Sequence, residues 1–472
     1  MILTRRRDID MTKGALLPRM LVFILPLMAT NILQALYNAA DMIVVGLSGE
    51  ADAVGAIGTT SAFVSLLLNL VIGVSVGANV VVARHIGAKE PGRVSRAVHT
   101  AAIVGLGVGV LCGAVGFIIT PAVMRGVGNT GRLLELSVLY ARVYFAALPF
   151  HALSNFAIAT HRAKGDTRTP LIVLTSTGLL NVLLNLFFVL VLDMSVEGVA
   201  LATGIAAATS AVVLYGNLMR DRGICHFNLR ALHLDMQEAK TIVRIGLPSG
   251  VQNALFAISN IVIQSSIVQV NNAVCSPGAA YQPVVKGNAA AANIAAFGNT
   301  ALGAAGHACI SFTSQNYGAK NYDRVKRVAA VGYLLLSLVG LVATAVLMLL
   351  RDPLLALYGV QNAPDELAQL AYSAAKTRVL WMWPFYILHA WMTCGSDVLR
   401  GLGKSMLATV SSLIGSCLLR IVWIYTAFRA VPKLSMVYVS YPITWFLTAL
   451  ALLLFVLREF KRFEKPGTAQ KA

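Results

Sequence analysis

Gly87-Ala88-Lys89-Glu90-Pro91-Gly92-Arg93-Val94-Ser95-Arg96 returns as Gly318-Ala319-Lys320-Asn321-Tyr322-Asp323-Arg324-Val325-Lys326-Arg327. The copies lie 231 residues apart, about half the chain, and six positions match in register: Gly87/Gly318, Ala88/Ala319, Lys89/Lys320, Arg93/Arg324, Val94/Val325 and Arg96/Arg327. Each copy is a basic loop that leaves one long apolar run and enters another. Duplication on this scale, in a chain this apolar, is the pattern of a secondary transporter built from two halves.

Composition sets the solvent. Of 472 residues, 57% are hydrophobic and 12% charged, with mean hydropathy +0.73. That is roughly half the charge of a soluble domain. Apolar runs long enough to cross ~30 Å of hydrocarbon recur twelve times: 17–47, 53–83, 96–122, 133–160, 169–192, 197–219, 240–271, 288–317, 328–350, 366–399, 406–428 and 436–458. The expectation is an all-α polytopic membrane protein with twelve transmembrane helices. The first run is too long for a cleavable signal peptide and lacks a small-residue cleavage site.

Charge gives the orientation. With the N terminus inside, the inner segments hold 28 of the 38 basic residues, among them Arg5, Arg6, Arg7, Arg84, Arg93, Arg96, Arg162, Arg324 and Arg462. The outer loops hold mainly acids: Glu50, Asp52, Asp193, Glu197, Asp352, Asp365 and Glu366. The positive-inside rule therefore predicts both termini in the cytoplasm. The net charge of +18 follows from this asymmetry beside anionic lipid. Nucleic-acid binding is not expected, because the bases are scattered over seven loops without interleaved aromatics.

Both copies of the basic block face the same side, so the halves are parallel repeats. A second trace pairs Arg162-Ala163-Lys164-Gly165-Asp166-Thr167 with Arg400-Gly401-Leu402-Gly403-Lys404-Ser405, offset by 238. The polar stretch 220–240 reads as the linker between a first half, 1–219, and a second, 241–472. An outer loop near 272–287 has no counterpart in the first half.

Catalytic motifs do not hold up. Gly73-Val74-Ser75-Val76-Gly77 fits GxSxG but lies mid-span, where no strand-turn-helix forms, and small residues at that spacing pack helices. Gly403-Lys404-Ser405 lacks the first glycine of a phosphate loop, since position 398 is Val. Cys112, Cys225, Cys275, Cys309, Cys394 and Cys417 stand apart, with no CxxC pair. No enzyme, cofactor or nucleotide site is expected, so energy has to come from an ion gradient.

Polar residues inside the membrane are costly unless they line a cavity or find a partner. In the first run, Gln34, Tyr37, Asn38 and Asp41 share one helix face, above Pro26. An acid at the outer helix end is the plain alternative for Asp41, although such an acid needs no polar stripe beneath it. Thr177, Asn181 and Asn185 share a face of the fifth run, and Thr203 lies in the sixth. A carboxylate, amide carbonyls and a hydroxyl are hard ligands that suit a small alkali cation, and the carboxylate alone can take a proton. Hydrogen bonding between helices is the other reading of the two asparagines.

Leu25-Pro26, Leu36-Tyr37-Asn38-Ala39-Ala40-Asp41-Met42-Ile43-Val44-Val45-Gly46, Gly165-Asp166-Thr167-Arg168-Thr169-Pro170, Asn181-Val182-Leu183-Leu184-Asn185 and Gly198-Val199-Ala200-Leu201-Ala202-Thr203 follow one another in order. Gly246-Leu247-Pro248, Leu399-Arg400-Gly401-Leu402-Gly403-Lys404 and Tyr441-Pro442-Ile443-Thr444 continue the series. Together they resemble the multidrug and toxic compound extrusion (MATE) family from about 15 to 455. The resemblance implies two six-helix lobes in a V that open alternately. It also implies export of small organic cations from the cytoplasm against Na⁺ or H⁺ entry, by a monomer embedded in the cytoplasmic membrane and in contact with its lipid. Asp41, Asn181, Asn185 and Thr203 match the family's N-lobe cation site. Some members carry a second Asp where this chain has Asn185.

In the second lobe the match weakens. Members with a site there carry acids, whereas this chain offers neutral Gln252, Asn253, Asn260 and Gln264 after Pro248. His389 falls near the family's other acidic position, with Thr393 and Asp397 beyond it; Asp397 is set to pair with Arg400, three residues on. A cation site in this lobe is expected to be absent or altered. Gln34, Tyr37, Asn38, Gln252, Asn253 and His389 are the candidate cavity-lining residues. There are two rival classes. One is a lipid-linked precursor or polysaccharide flippase of the same wider fold, for which Arg142, Lys376, Arg378 and Arg420 are the only cationic candidates. The other is a membrane-embedded enzyme, disfavoured because no catalytic constellation is present.

Overall fold

The computed structural model describes residues 8–46, 50, 52–275 and 282–464, the side chains of residues 38, 39 and 258 aside. Every regular element among them is helical. The first half carries α1 (Leu16–Gly46), α2 (Ala53–Gly87), α3 (Pro91–Gly126), α4 (Gly131–Lys164), α5 (Arg168–Leu186, continued by a π turn, Phe187–Val191) and α6 (Val196–Arg220). Then come α7 (Met236–Val274), α8 (Pro283–Gly318), α9 (Tyr322–Leu349), the short α10 (Arg351–Leu357), α11 (Glu366–Met382) and α12 (Tyr386–Gly401). The eleventh run joins α13 (Ser405–Ser412) and α14 (Leu419–Trp423) through π-helical turns, and α15 (Leu434–Phe463) carries the twelfth.

Each of the twelve apolar runs falls on one of these helical stretches. Ten described helical runs are long and apolar enough to cross a membrane on their own. The other two differ for visible reasons. α8 is 36 residues long but diluted by Asn288, Asn293 and Asn299 among alanines and glycines. The run 366–399 is broken at Trp383–Phe385, where Pro384 cannot continue the α-helical hydrogen bonding.

The duplicated blocks have duplicated backbones. Lys89 and Lys320 both turn left-handed, with φ of 58° and 55°. Ala88 N donates to Arg84 O at 2.9 Å, and Ala319 N donates to Gln315 O at 2.9 Å. The second trace repeats as well: Gly165 and Gly403 take φ of 93° and 76°, and each closes the preceding helix by bonding to Arg162 O or Arg400 O. The two matching glycines also meet. A Cβ on Gly87 would stand 1.8 Å from Gln315 O, and one on Gly318 would stand 1.9 Å from Arg84 O. Each glycine thus abuts the carbonyl three residues before the other.

The chain divides into two compact units, Met1–Ala254 with Ile310–Asn321, and Leu255–Cys309 with Tyr322–Ala472. In the first, α2 packs on α3 and α4, and α5 lies between α1 and α6. Its core joins Val80, Val81 and Val82 of α2 to Val98 of α3, Phe156 of α4 and Ile242 of α7. The GxSxG-like stretch is the seam to α7. A Cβ on Gly73 would meet Gly250 N at 2.2 Å, and one on Gly77 would meet Ile242 O at 2.1 Å. These are backbone atoms that cannot step aside, so small residues alone permit the crossing.

The α4–α5 loop is pinned by charge. Asp166, 5% exposed, hydrogen-bonds His161 Nδ1 at 3.1 Å and accepts from Thr169 N at 3.0 Å at the start of α5. Burial pushes its carboxyl up, but the bonds from His161 and Thr169 outweigh it and hold the group well below the usual carboxylate range. In the second unit α12 packs on α9 and α15, with Trp383, Tyr386 and Tyr438 fully buried. Asp397 accepts from Arg400 Nη1 at 2.7 Å, the ion pair expected from their spacing.

Candidate functional site

In the first unit α1, α2, α4, α5 and α6 line a cavity of ≈ 270 Å³, α2 through the apolar Leu68 and Ile72. Gln34, Tyr37 and Asp41 of α1 line it, as their one-face spacing requires. The side chain of Asn38, the fourth member of that stripe, lies outside the described residues. α5 contributes Thr177, Gly178 and Asn181, and α6 contributes Thr203 and Ser210.

Small residues and hydroxyls hold the walls together. Gly178 is the point of close approach, because a Cβ there would stand 2.0 Å from the Tyr37 ring. Tyr37 is thereby laid against α5 and donates to Thr175 O at 3.1 Å. The hydroxyls of Thr177 and Ser210 meet at 2.7 Å and join α5 to α6.

At one end Asp41, Asn181, Asn185 and Thr203 come together. Asn185, fully buried, donates from Nδ2 to Asp41 Oδ1 and, at 3.3 Å, to Asn181 Oδ1. Asn181 Nδ2 lies 3.2 Å from Thr203 Oγ1. With its amide turned by a half rotation, Asn181 instead donates to Asp41 Oδ1 at 2.9 Å and accepts from Thr203. Asn185 Oδ1 is buried and has no hydrogen-bond partner. A carboxylate, two amides and a hydroxyl thus converge from three helices, with one bare carbonyl oxygen among them.

The other expected lining residues are placed elsewhere. Gln252 and Asn253 stand on α7 and do not line this cavity. His389 belongs to the second unit, its ring 5.0 Å from that of Trp445 and 5.9 Å from that of Tyr386. Sequence reasoning passed over the polar wall supplied by α4: Tyr144, His151, Ser154 and Asn155. His151 stacks on Tyr144 at 5.1 Å, and its buried Nε2 has no partner. The signal was available, since a histidine in the middle of an apolar run is itself an intramembrane ionisable group.

The sequence model of the MatE family matches residues 26–187 and 248–426, one stretch in each half of the chain. This chain belongs to the MatE family. It is therefore a multi-pass membrane transporter and not an enzyme. Among curated relatives, the probable multidrug resistance protein YoeA of Bacillus subtilis is 27% identical over 404 residues, 84% of this chain and 83% of its own length. The multidrug export protein MepA of Staphylococcus aureus is 24% identical over 277 residues, 58% of this chain and 60% of that protein. A MATE crystallised in complex with MaL6 superposes with TM-score 0.86 at 20% identity, covering 98% of this chain and 100% of that one. A MOP superfamily transporter from Pyrococcus furiosus, described as having a binding pocket of reverse polarity, gives 0.87 at 21% identity over 97% of this chain and 99% of its own. MatE members and this chain share the all-α fold.

Proposed function

We propose that the protein is a cation-coupled antiporter that exports small organic cations across the cytoplasmic membrane by alternating access, with Na⁺ or H⁺ exchanged at Asp41. Both termini are cytoplasmic in this reading, and the working unit is a monomer. The observation that carries it is Asp41 set beside Asn185, whose buried carbonyl oxygen meets no donor. A bare buried acceptor costs about 1–3 kcal/mol, and an arriving cation relieves that cost. A proton needs only the carboxylate, whereas neutral oxygens around it suit Na⁺, so Na⁺ is the favoured ion. Tyr37 and Tyr144 in the same cavity present π faces that attract an organic cation. YoeA and MepA, a probable multidrug resistance protein and a multidrug export protein, support a drug-like cargo.

The test is efflux of a monovalent cationic dye from proteoliposomes with the Na⁺ gradient, pH gradient and potential imposed separately. One coupling cation entering gains about 2.3 kcal/mol per 100 mV, and one cationic dye leaving cancels that gain. An ion gradient alone should therefore drive exchange, and the potential alone should not. Efflux driven by potential and indifferent to both ion gradients would overturn the reading.

A further inference from the structure

The second unit holds two arginines with no acid to answer them. Arg420, 5% exposed, lies in α14 between the two π-helical turns, a distortion that is frequent at functional sites. Its guanidinium carbon stands 3.9 Å above the Tyr441 ring, and Nη2 reaches Thr444 Oγ1 at 3.1 Å. Arg378 of α11 donates to Asn288 Oδ1, which also accepts from Tyr438 at 2.8 Å, and its guanidinium carbon lies 5.7 Å from the Tyr438 ring. Tyr438 and Tyr441, three residues apart, place both cations along one face of α15. The Nε donors of Arg378 and Arg420 and the Nδ1 of His389 are buried without partners.

No carboxylate lies within ion-pair distance of either arginine among the described residues, and the sequence explains why. This unit has seven acids, none between Glu366 and Asp397 or between Asp397 and Glu459, and Asp397 is already held by Arg400. A buried charge without a counter-charge is strongly unfavourable. An anion would supply the counter-charge. Guanidinium Nε–H and Nη–H groups form a planar fork that matches the two oxygens of a carboxylate or phosphate. Tyr441, beneath the Arg420 guanidinium, packs on Trp445 with rings 5.6 Å apart, and Trp445 packs on Tyr386 at 5.9 Å; such aromatic surfaces suit an aromatic or apolar body.

We propose that Arg378 and Arg420 form an anion-binding site in the second unit, for an organic molecule carrying a carboxylate or phosphate monoester on an apolar body. The site stands beside the Asp41 reading and does not rest on it. The full chain in phosphatidylcholine nanodiscs, with no ion gradient, is titrated with 1-naphthyl phosphate and with neutral 1-naphthol. Because nothing is transported, the result is independent of whether Asp41 couples exchange. Saturable binding of the phosphate is expected, at least tenfold weaker in both Arg420→Gln and Arg378→Gln. The naphthol should not distinguish the variants, and Lys376→Gln, at an exposed position, should bind as the wild type does. Arg420→Lys keeps the charge and loses the fork, and should recover only part of the affinity. Should Arg420→Gln fail to fold, the half-buried Arg378 carries the test. Displacement of the probe by phosphatidate in the nanodisc assigns the anion to a lipid headgroup, and no displacement assigns it to a soluble molecule. Absence of saturable binding, or equal binding by wild type and both Gln variants, would overturn the proposal.

Discussion

Asp41→Asn exchanges one oxygen for an amide nitrogen and hardly alters the volume of the side chain. Asn185, which donates to Asp41 Oδ1, retains an acceptor at that position, so the contact between α1 and α5 survives. What disappears is the charge. At about 4 Å and an effective dielectric near 20, a pair of unit charges interacts by about 4 kcal/mol, which is about a thousandfold in cation affinity. A thousandfold loss should leave the site almost empty at ion concentrations that half-saturate the wild type. The assay is ion-driven efflux of a cationic dye by the purified variant in proteoliposomes, alongside its thermal unfolding. We expect a melting temperature within a few degrees of wild type and efflux at the rate of protein-free liposomes. Asn185→Ala should act more mildly, because it removes a neutral group worth about 1–3 kcal/mol; the half-maximal ion concentration should rise about five- to 150-fold. Wild-type coupled efflux by a folded Asp41→Asn protein would refute the reasoning.

Further expectations concern packing, pH and orientation. Gly77→Ala drives a methyl to 2.1 Å from Ile242 O and should cost about 1–3 kcal/mol of stability, whereas Gly107→Ala, facing open space in α3, should be neutral or slightly stabilising; equal melting temperatures for the two would contradict the seam. Asp166 has a depressed pKa in the fold, so its stabilisation is present above the ordinary carboxylate range near 4 and is lost as pH falls through the lower folded value. Unfolding followed from pH 7 to pH 2 should show the wild type's advantage over Asp166→Asn shrinking only below about pH 4, and an advantage that is flat across that range would count against the ion cluster. Cysteines introduced as Arg93→Cys or Arg324→Cys should escape an impermeant maleimide added outside intact cells, and rapid labelling of either would reverse the assigned orientation.

Local pattern carried most of the architecture. Hydropathy marks spans because each helix meets its solvent independently of its neighbours, and the duplicated blocks repeat because like sequence closes like turns, down to the left-handed Lys89 and Lys320. The helical period was enough to put Gln34, Tyr37 and Asp41 on one face, and Asn181 and Asn185 on another. It was not enough to bring the faces together. That Asn185 donates to Asp41, 144 positions earlier in the chain, depends on Gly178 admitting the Tyr37 ring, a fit that only packed helices reveal. His151 lines the cavity from α4 beside Ser154 and Asn155, and its role comes from what it faces. Arg378 and Arg420 are 42 residues apart, and only α15 brings them alongside one another. Spacing along a chain fixes which residues share a surface, because backbone geometry is local. Which surfaces meet, and which charges are left without a partner, is decided by side-chain volume and desolvation across helices distant in sequence.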